Sequence, residues 1–224
     1  MGKIVLTLTA ILCPLVFFAS GRAPLHLPET DQDTTYLKQQ IQNGREWETK
    51  YDRIRGHEFF LTRALCESQV SVNGRKFENQ LLRYDILNDE AVLMVRPDLF
   101  IILNRENTVE FKINCQGREY RFVNLGEMGY CQVLFEGKSM LVRKHIKSVR
   151  RDTSNNLYYI FVEERSDFIV LNGTFHRLRN RRDLLQAFAG REKEIREYMR
   201  RHNLRPDMER TESLVPILEY YESL

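Results

Sequence analysis

Hydrophobic positions along this chain change period as the sequence proceeds. Between Phe59 and about Leu178, short runs rich in Val, Ile, Leu, Phe and Tyr alternate with turn-forming residues, the pattern of half-buried strands. Val70-Ser-Val72 leads into Asn73-Gly74, a two-residue hairpin signal. Phe77–Leu87, Glu90–Val95, Leu99–Leu103, Thr108–Ile113, Glu119–Leu125, Gly129–Phe135, Lys138–His145 and Leu157–Glu163 follow. Asp167–Leu171 and Thr174–Leu178, joined by Asn172-Gly173, close the series. About ten strands are expected, most joined by turns too short for crossover helices, so sequence neighbours pair antiparallel. The fold class is mostly β within α+β: an antiparallel β-meander, as a curled sheet or half-barrel, with C-terminal helices. Leu99–Leu103 is apolar throughout and is expected to be covered on both faces.

Near Asn180 the period lengthens to that of a helix. Asn180 and Asp183 resemble an N-cap and its reciprocal partner, and Leu184, Leu185 and Phe188 form an apolar face. Gly190 interrupts, and Ile195, Tyr198 and Met199 give a second helical face in Arg191–His202. A last short helix is expected to start at a Ser213 cap, tolerate Pro216 in its first turn and bury Leu214, Ile217, Leu218 and Tyr221. Upstream, residues 24–34 have no apolar period and read as a flexible leader, while Thr35–Arg53 carries a weak helical pattern broken at Gly44.

The first 23 residues have a basic start at Lys3, an apolar run from Ile4 to Ala19, and small residues before a polar segment. That is the form of a secretory signal peptide, with cleavage after Gly21 or Ala23, the latter favoured. The run is short for a membrane span, which needs about 20 residues, and Pro14 interrupts it. Leu12 is too large to precede a lipid-modified Cys13. The expected organisation is therefore a signal peptide at 1–23, a leader with a possible short helix at 24–56, the meander at 57–179 and helices packed on it at 180–224. Export to the periplasm or cell envelope excludes most ATP-dependent and redox-cofactor chemistry, and no cofactor is implied.

After cleavage the chain would hold 32 basic against 31 acidic residues, so overall charge points to no polyanion partner. The distribution is uneven: residues 143–205 hold 16 Lys or Arg and 8 Asp or Glu. Arg181 and Arg182 lie at a helix start, where the dipole disfavours cations. With Arg179 they form a candidate contact for an anion such as lipid phosphate or acidic glycan. The competing reading is an ordinary charged helix face, with Glu192–Arg196 and Glu197–Arg201 paired at i,i+4. Cys66, Cys115 and Cys131 allow one disulfide, with Cys115–Cys131 the expected pair, although small buried thiols are the favoured reading.

Other motifs fail on spacing. His57-Glu58 has Leu61 where a zinc helix needs its second histidine, and no metal site is expected. Glu136-Gly137-Lys138-Ser139 has Gln132 where a phosphate loop needs glycine. Asn172-Gly173-Thr174 fits a glycosylation acceptor, but the hairpin accounts for it. An enzyme would need polar groups converging from separate strands, Tyr84, Asp85 and His145 being the candidates.

Val72-Asn-Gly-Arg-Lys-Phe77, Leu82-Arg-Tyr-Asp-Ile86, Asn88-Asp-Glu90, Val133-Leu-Phe-Glu-Gly-Lys138 and Arg182-Asp-Leu-Leu185 resemble an uncharacterised family of exported proteins from Bacteroidota-type bacteria. The resemblance covers roughly residues 57–224 and implies location and fold class only. A small residue would be expected at Cys66, which argues against a structural role for it. The expectation is an exported noncatalytic envelope protein with a binding or interaction role. Alternatives are a hydrolase with a site built from separated strands and a structural subunit of a surface assembly. Its partners would be a lipid, an acidic glycan or an envelope protein. Peripheral membrane contact is compatible with this, but no nucleic acid and no transmembrane helix in the mature chain are expected.

Overall fold

The structure, a computed structural model, describes residues 39, 41–152 and 159–224. The apolar leader, its cleavage points, the segment through residue 38 and most of the loop expected at 152–156 lie outside the described residues. Eleven strands form one sheet: β1 (Gly44–Glu46), β2 (Cys66–Val72), β3 (Arg75–Asp85), β4 (Glu90–Arg96), β5 (Leu99–Leu103), β6 (Thr108–Cys115), β7 (Arg118–Asn124), β8 (Tyr130–Glu136), β9 (Met140–Arg151), β10 (Tyr159–Leu171) and β11 (Thr174–Leu178). The order is β1-β5-β4-β3-β2-β6-β7-β8-β9-β10-β11, and every strand pair is antiparallel. Two meanders thus run outward from the central β2–β6 pair. At the β2–β3 turn, Asn73 and Gly74 take φ of 50° and 75°, the left-handed pair a two-residue hairpin requires.

The sheet is open and does not roll evenly into the expected curled or half-barrel form. Register shifts interrupt its β2–β3, β2–β6, β4–β5 and β8–β9 pairs, the first of them within β3. There a bulge places Glu78 and Asn79 opposite Gln69 alone, with Asn79 at φ 54°. In a flat sheet β3 and β7 would stand roughly 14 Å apart, three spacings of about 4.8 Å. The Tyr84 ring nevertheless meets Phe111 at 5.4 Å and Phe122 at 4.9 Å. The first meander therefore folds back over the middle strands and encloses the main core of Phe60, Leu82, Tyr84, Phe111, Phe122 and Tyr130. In β5, Ile101 and Leu103 enter that core while Ile102 joins Phe59 and Val92 on the other side, so both faces are covered.

The weak helical period at 35–53 does not run past Ile41, because Gly44–Glu46 pairs with β5 instead. Leu157–Glu163 and Asp167–Leu171 are not separate strands. From Tyr159 onward β10 runs unbroken to Leu171, pairing residue for residue with a β9 that extends to Arg151. This arm grips the segment before β2: Arg55 pairs with Ile160, and Lys147 Nζ donates to the Phe59 carbonyl at 2.5 Å.

The expected Cys115–Cys131 bond is absent, because β7 separates β6 from β8. The disulfide joins Cys66 to Cys115, with Cα atoms 5.3 Å apart. The register that sets Glu67 opposite Asn114 brings these two cysteines face to face. Cys66 is therefore structural, and the favoured reading of three unbonded thiols is corrected. Cys131 is free and buried, and burial pushes its thiol up to about 11. A disulfide of this kind points to an oxidising, extracytoplasmic compartment. Among the described residues no helix is long and apolar enough to cross a membrane.

Three helices follow the sheet: α1 (Arg181–Ala187), α2 (Glu192–Arg201) and α3 (Val215–Ser223), the last entered through a 3-10 turn at Thr211–Leu214. Leu184, Phe188, Ile195, Met199, Ile217 and Leu218 pack on Leu141, Ile169 and Leu178 of β9, β10 and β11. Ser213 lies inside the 3-10 turn and caps nothing. Its hydroxyl accepts from Asp207 N at 3.2 Å. A buried ion pair fastens this layer. Arg143 Nε and Nη2 donate to Asp167 Oδ1 and Oδ2 at 2.8 and 3.0 Å, and Thr211 Oγ1 donates to Asp167 Oδ2.

Candidate functional site

The basic residues singled out in the sequence divide into two groups. Arg179 is held internally: its backbone N and its Nε donate to Asp183 Oδ2 at 3.0 and 3.1 Å. Asn180 Oδ1 accepts from Arg182 N at 2.8 Å and Asp183 N at 3.1 Å, so the cap forms as expected and occupies the first-turn amides. The Arg182 and Asp183 amides at the start of α1 are therefore already engaged, and Arg179 faces the Asp183 carboxylate. Arg181 and Arg182 are exposed and stand elsewhere, along the walls of two adjoining grooves.

The first groove, of about 620 Å³, is lined by Arg181, Lys193, Arg196, Arg200 and Arg205 over a floor that includes Met199 and Leu204. The second, of about 580 Å³, is lined by Arg181, Arg182 and Arg196 with Leu185, Gln186 and Glu192. Arg181 and Arg196 belong to both. The cations come from α1, from α2 and from the segment after α2. Lys193, Arg196 and Arg200 fall at i, i+3 and i+7, one stripe of a helix whose opposite side buries Ile195 and Met199.

Two carboxylates line these grooves, and both have other partners. Glu197 accepts from Arg201 Nη2 at 2.8 Å, as its spacing predicted. Glu192 does not pair with Arg196; it accepts from the Gly190 backbone N at 3.0 Å, inside the turn between α1 and α2. The ordinary charged-face reading thus holds for one of its two pairs. Arg181, Arg182, Lys193, Arg196, Arg200 and Arg205 are all exposed, and among the described residues no ion pair or side-chain hydrogen bond involves any of them. Sequence reasoning set Arg179 beside Arg181 and missed Arg205. The i, i+3, i+7 spacing from Lys193 was the signal that separates this stripe from Glu197 and Arg201.

Tyr84, Asp85 and His145 do not converge on a pocket. The Tyr84 hydroxyl donates to Asp89 Oδ1 within the main core, and burial pushes its ionisation well up. Asp85 closes the β3–β4 turn: Oδ1 accepts from Leu87 N and Asn88 N at 2.9 and 3.0 Å, and Oδ2 from Asn88 Nδ2 at 2.8 Å. His145 is buried edge-on to Phe60 at 4.8 Å, with Nδ1 3.2 Å from Glu163 Oε1 and Nε2 2.8 Å from the Gln132 side-chain amide. Burial pulls His145 below its ordinary value, and the hydrogen bond from His145 holds Glu163 down at about 2. Each of these groups ties strands together. Among the described residues no three His, Cys, Asp or Glu side chains gather as a metal ion would require. Compared with protein-family models, with curated proteins and with solved structures, the chain matches none.

Proposed function

We propose that this is an exported, noncatalytic protein of the cell envelope that binds an anionic ligand on its C-terminal helical layer. One observation carries the reading: six exposed cations line two adjoining grooves, and among the described residues none of the six has a carboxylate within ion-pair distance. The arrangement costs the free protein stability. Lys193 with Arg196, and Arg196 with Arg200, are like-charge neighbours at i,i+3 and i,i+4, each unfavourable by about 0.2–0.5 kcal/mol. An anion seated between them removes that repulsion. Arginine's planar fork suits carboxylate and phosphate oxygens, and five of the six cations are arginine. The Cys66–Cys115 disulfide and the signal-like leader support export.

Native mass spectrometry of the protein released from its own cell envelope tests this. A reproducible acidic adduct is expected on the native chain and should be lost from Arg181→Glu/Arg196→Glu. A bare mass for the native chain, or an adduct indifferent to the charge reversal, would overturn the reading.

A further inference from the structure

We infer that the ligand is a linear acidic glycan, a strand bearing carboxylates on successive sugars, laid along α2 across both grooves. The inference rests on the anion-binding reading above and names its ligand class. A single phosphate or carboxylate is satisfied by two or three donors, whereas six cations are arrayed here. With a rise of about 1.5 Å per residue, Lys193, Arg196 and Arg200 lie at 0, about 4.5 and about 10 Å along the helix axis. Arg205, beyond the helix end, lines the first groove, and from α1 Arg181 lines both grooves and Arg182 the second. Because Arg181 and Arg196 line both grooves, a chain crossing from one to the other stays among cations throughout.

The rest of the lining favours sugar over other polyanions. Half-buried Leu204 gives the first groove apolar surface for the C–H face of a sugar ring, while Asn203 and Gln186 offer amides to hydroxyl groups. Single-stranded nucleic acid needs aromatic platforms. Tyr198, the aromatic residue of α2, is stacked face to face on Tyr220 at 3.9 Å, and among the described residues no aromatic lines either groove. A membrane surface needs apolar side chains to insert beside the cations. The large exposed hydrophobics among the described residues, Val109, Ile146, Tyr159 and Leu224, line neither groove.

Titration calorimetry of the disulfide-intact protein with galacturonate and its linear dimer, tetramer and hexamer tests the proposal, with polyphosphate of matched charge and phosphatidylglycerol vesicles as further arms. Affinity should rise about 100-fold from monomer to hexamer, as linked contacts on one chain do. It should weaken with salt. Lys193→Gln/Arg200→Gln changes the first groove alone and Arg182→Gln the second alone, and each should remove much of the gain with length. These side chains are exposed, so far-UV dichroism should stay unchanged and the urea midpoint should not fall. Equal affinity for monomer and hexamer would overturn the extended glycan while leaving a simple anion site. Preference for polyphosphate or for vesicles would overturn it in favour of those ligands. Failure of every anion to bind would sink the anion-binding reading itself.

Discussion

His145 is 4 % exposed, enclosed by Phe60 and Phe122, and linked to β10 through Glu163 and to β8 through Gln132. Burial opposes its positive charge more than Glu163 favours it, so its pKa lies below 6.5 in the fold. Below pH 6.5 the unfolded chain takes up a proton that folded His145 resists. Its contribution to stability is therefore complete above 6.5 and declines as pH falls through that value. Glu163, held at about 2, contributes fully above the ordinary glutamate value of 4.5 and loses this as pH drops from there toward 2. Melting temperature followed against pH should accordingly fall in two stages, and His145→Gln should shrink the upper one, to which half-buried His57, also held below 6.5 by burial, contributes as well. A wild-type profile flat between pH 7 and 5 would contradict this account. The sequence offers Tyr84, Asp85 and His145 as chemically capable residues. It does not say that a nearby Asp89, a turn of backbone amides and Glu163 with Gln132 have already engaged them.

The C-terminal helices hold their grooves in place only while they stay docked. Arg143 and Asp167 are each about one-tenth exposed at the side chain and bond through two parallel contacts under the 3-10 turn. Arg143→Met leaves the Asp167 carboxylate buried without its partner, and a loss of about 3–5 kcal/mol is expected from urea unfolding. Arg143→Met/Asp167→Leu removes both charges and should recover most of it; no recovery would mean that packing around Leu141 and Ile169, not charge, holds the layer. At this scale the sequence is mostly readable. Hairpin ends are marked by residues that tolerate left-handed backbone, and the start of α1 by the Asn180 cap, so β3 to β8 and α1 emerge close to their true limits, while β2 begins four residues before its apolar Val70–Val72 end. Readability fails where a partner strand overrides composition. Glu163-Glu164-Arg165-Ser166 has the charge of a loop, yet it continues β10 because Lys147 and Arg150 lie across from it on β9 and nearby, with Arg150 paired to Glu164.

Across the whole molecule, the feature hidden from the sequence is which strands meet at the centre. Short turns dictate neighbours within each meander, but nothing local reports that β6 returns to the outer side of β2 instead of adding beside β5. The cysteines depend on that choice: adjacency of β2 and β6 makes Cys66 and Cys115 partners and strands Cys131 behind β7. The bond closes a loop of 49 residues containing β3, β4 and β5, the strands that fold back over the main core. Closing a loop of that length restricts the unfolded chain by about 4 kcal/mol on the chain-entropy account. Cys66→Ala/Cys115→Ala should therefore lower stability by about 2–5 kcal/mol. Amide exchange should rise most in β3, β4 and β5 and least in the β9–β11 layer under the helices, since that layer has its own core. Digestion without reductant should yield a peptide linked through Cys66 and Cys115, with Cys131 alkylated only after unfolding. A Cys115–Cys131 linked peptide would require β6 and β8 to be neighbours and would overturn the strand order itself.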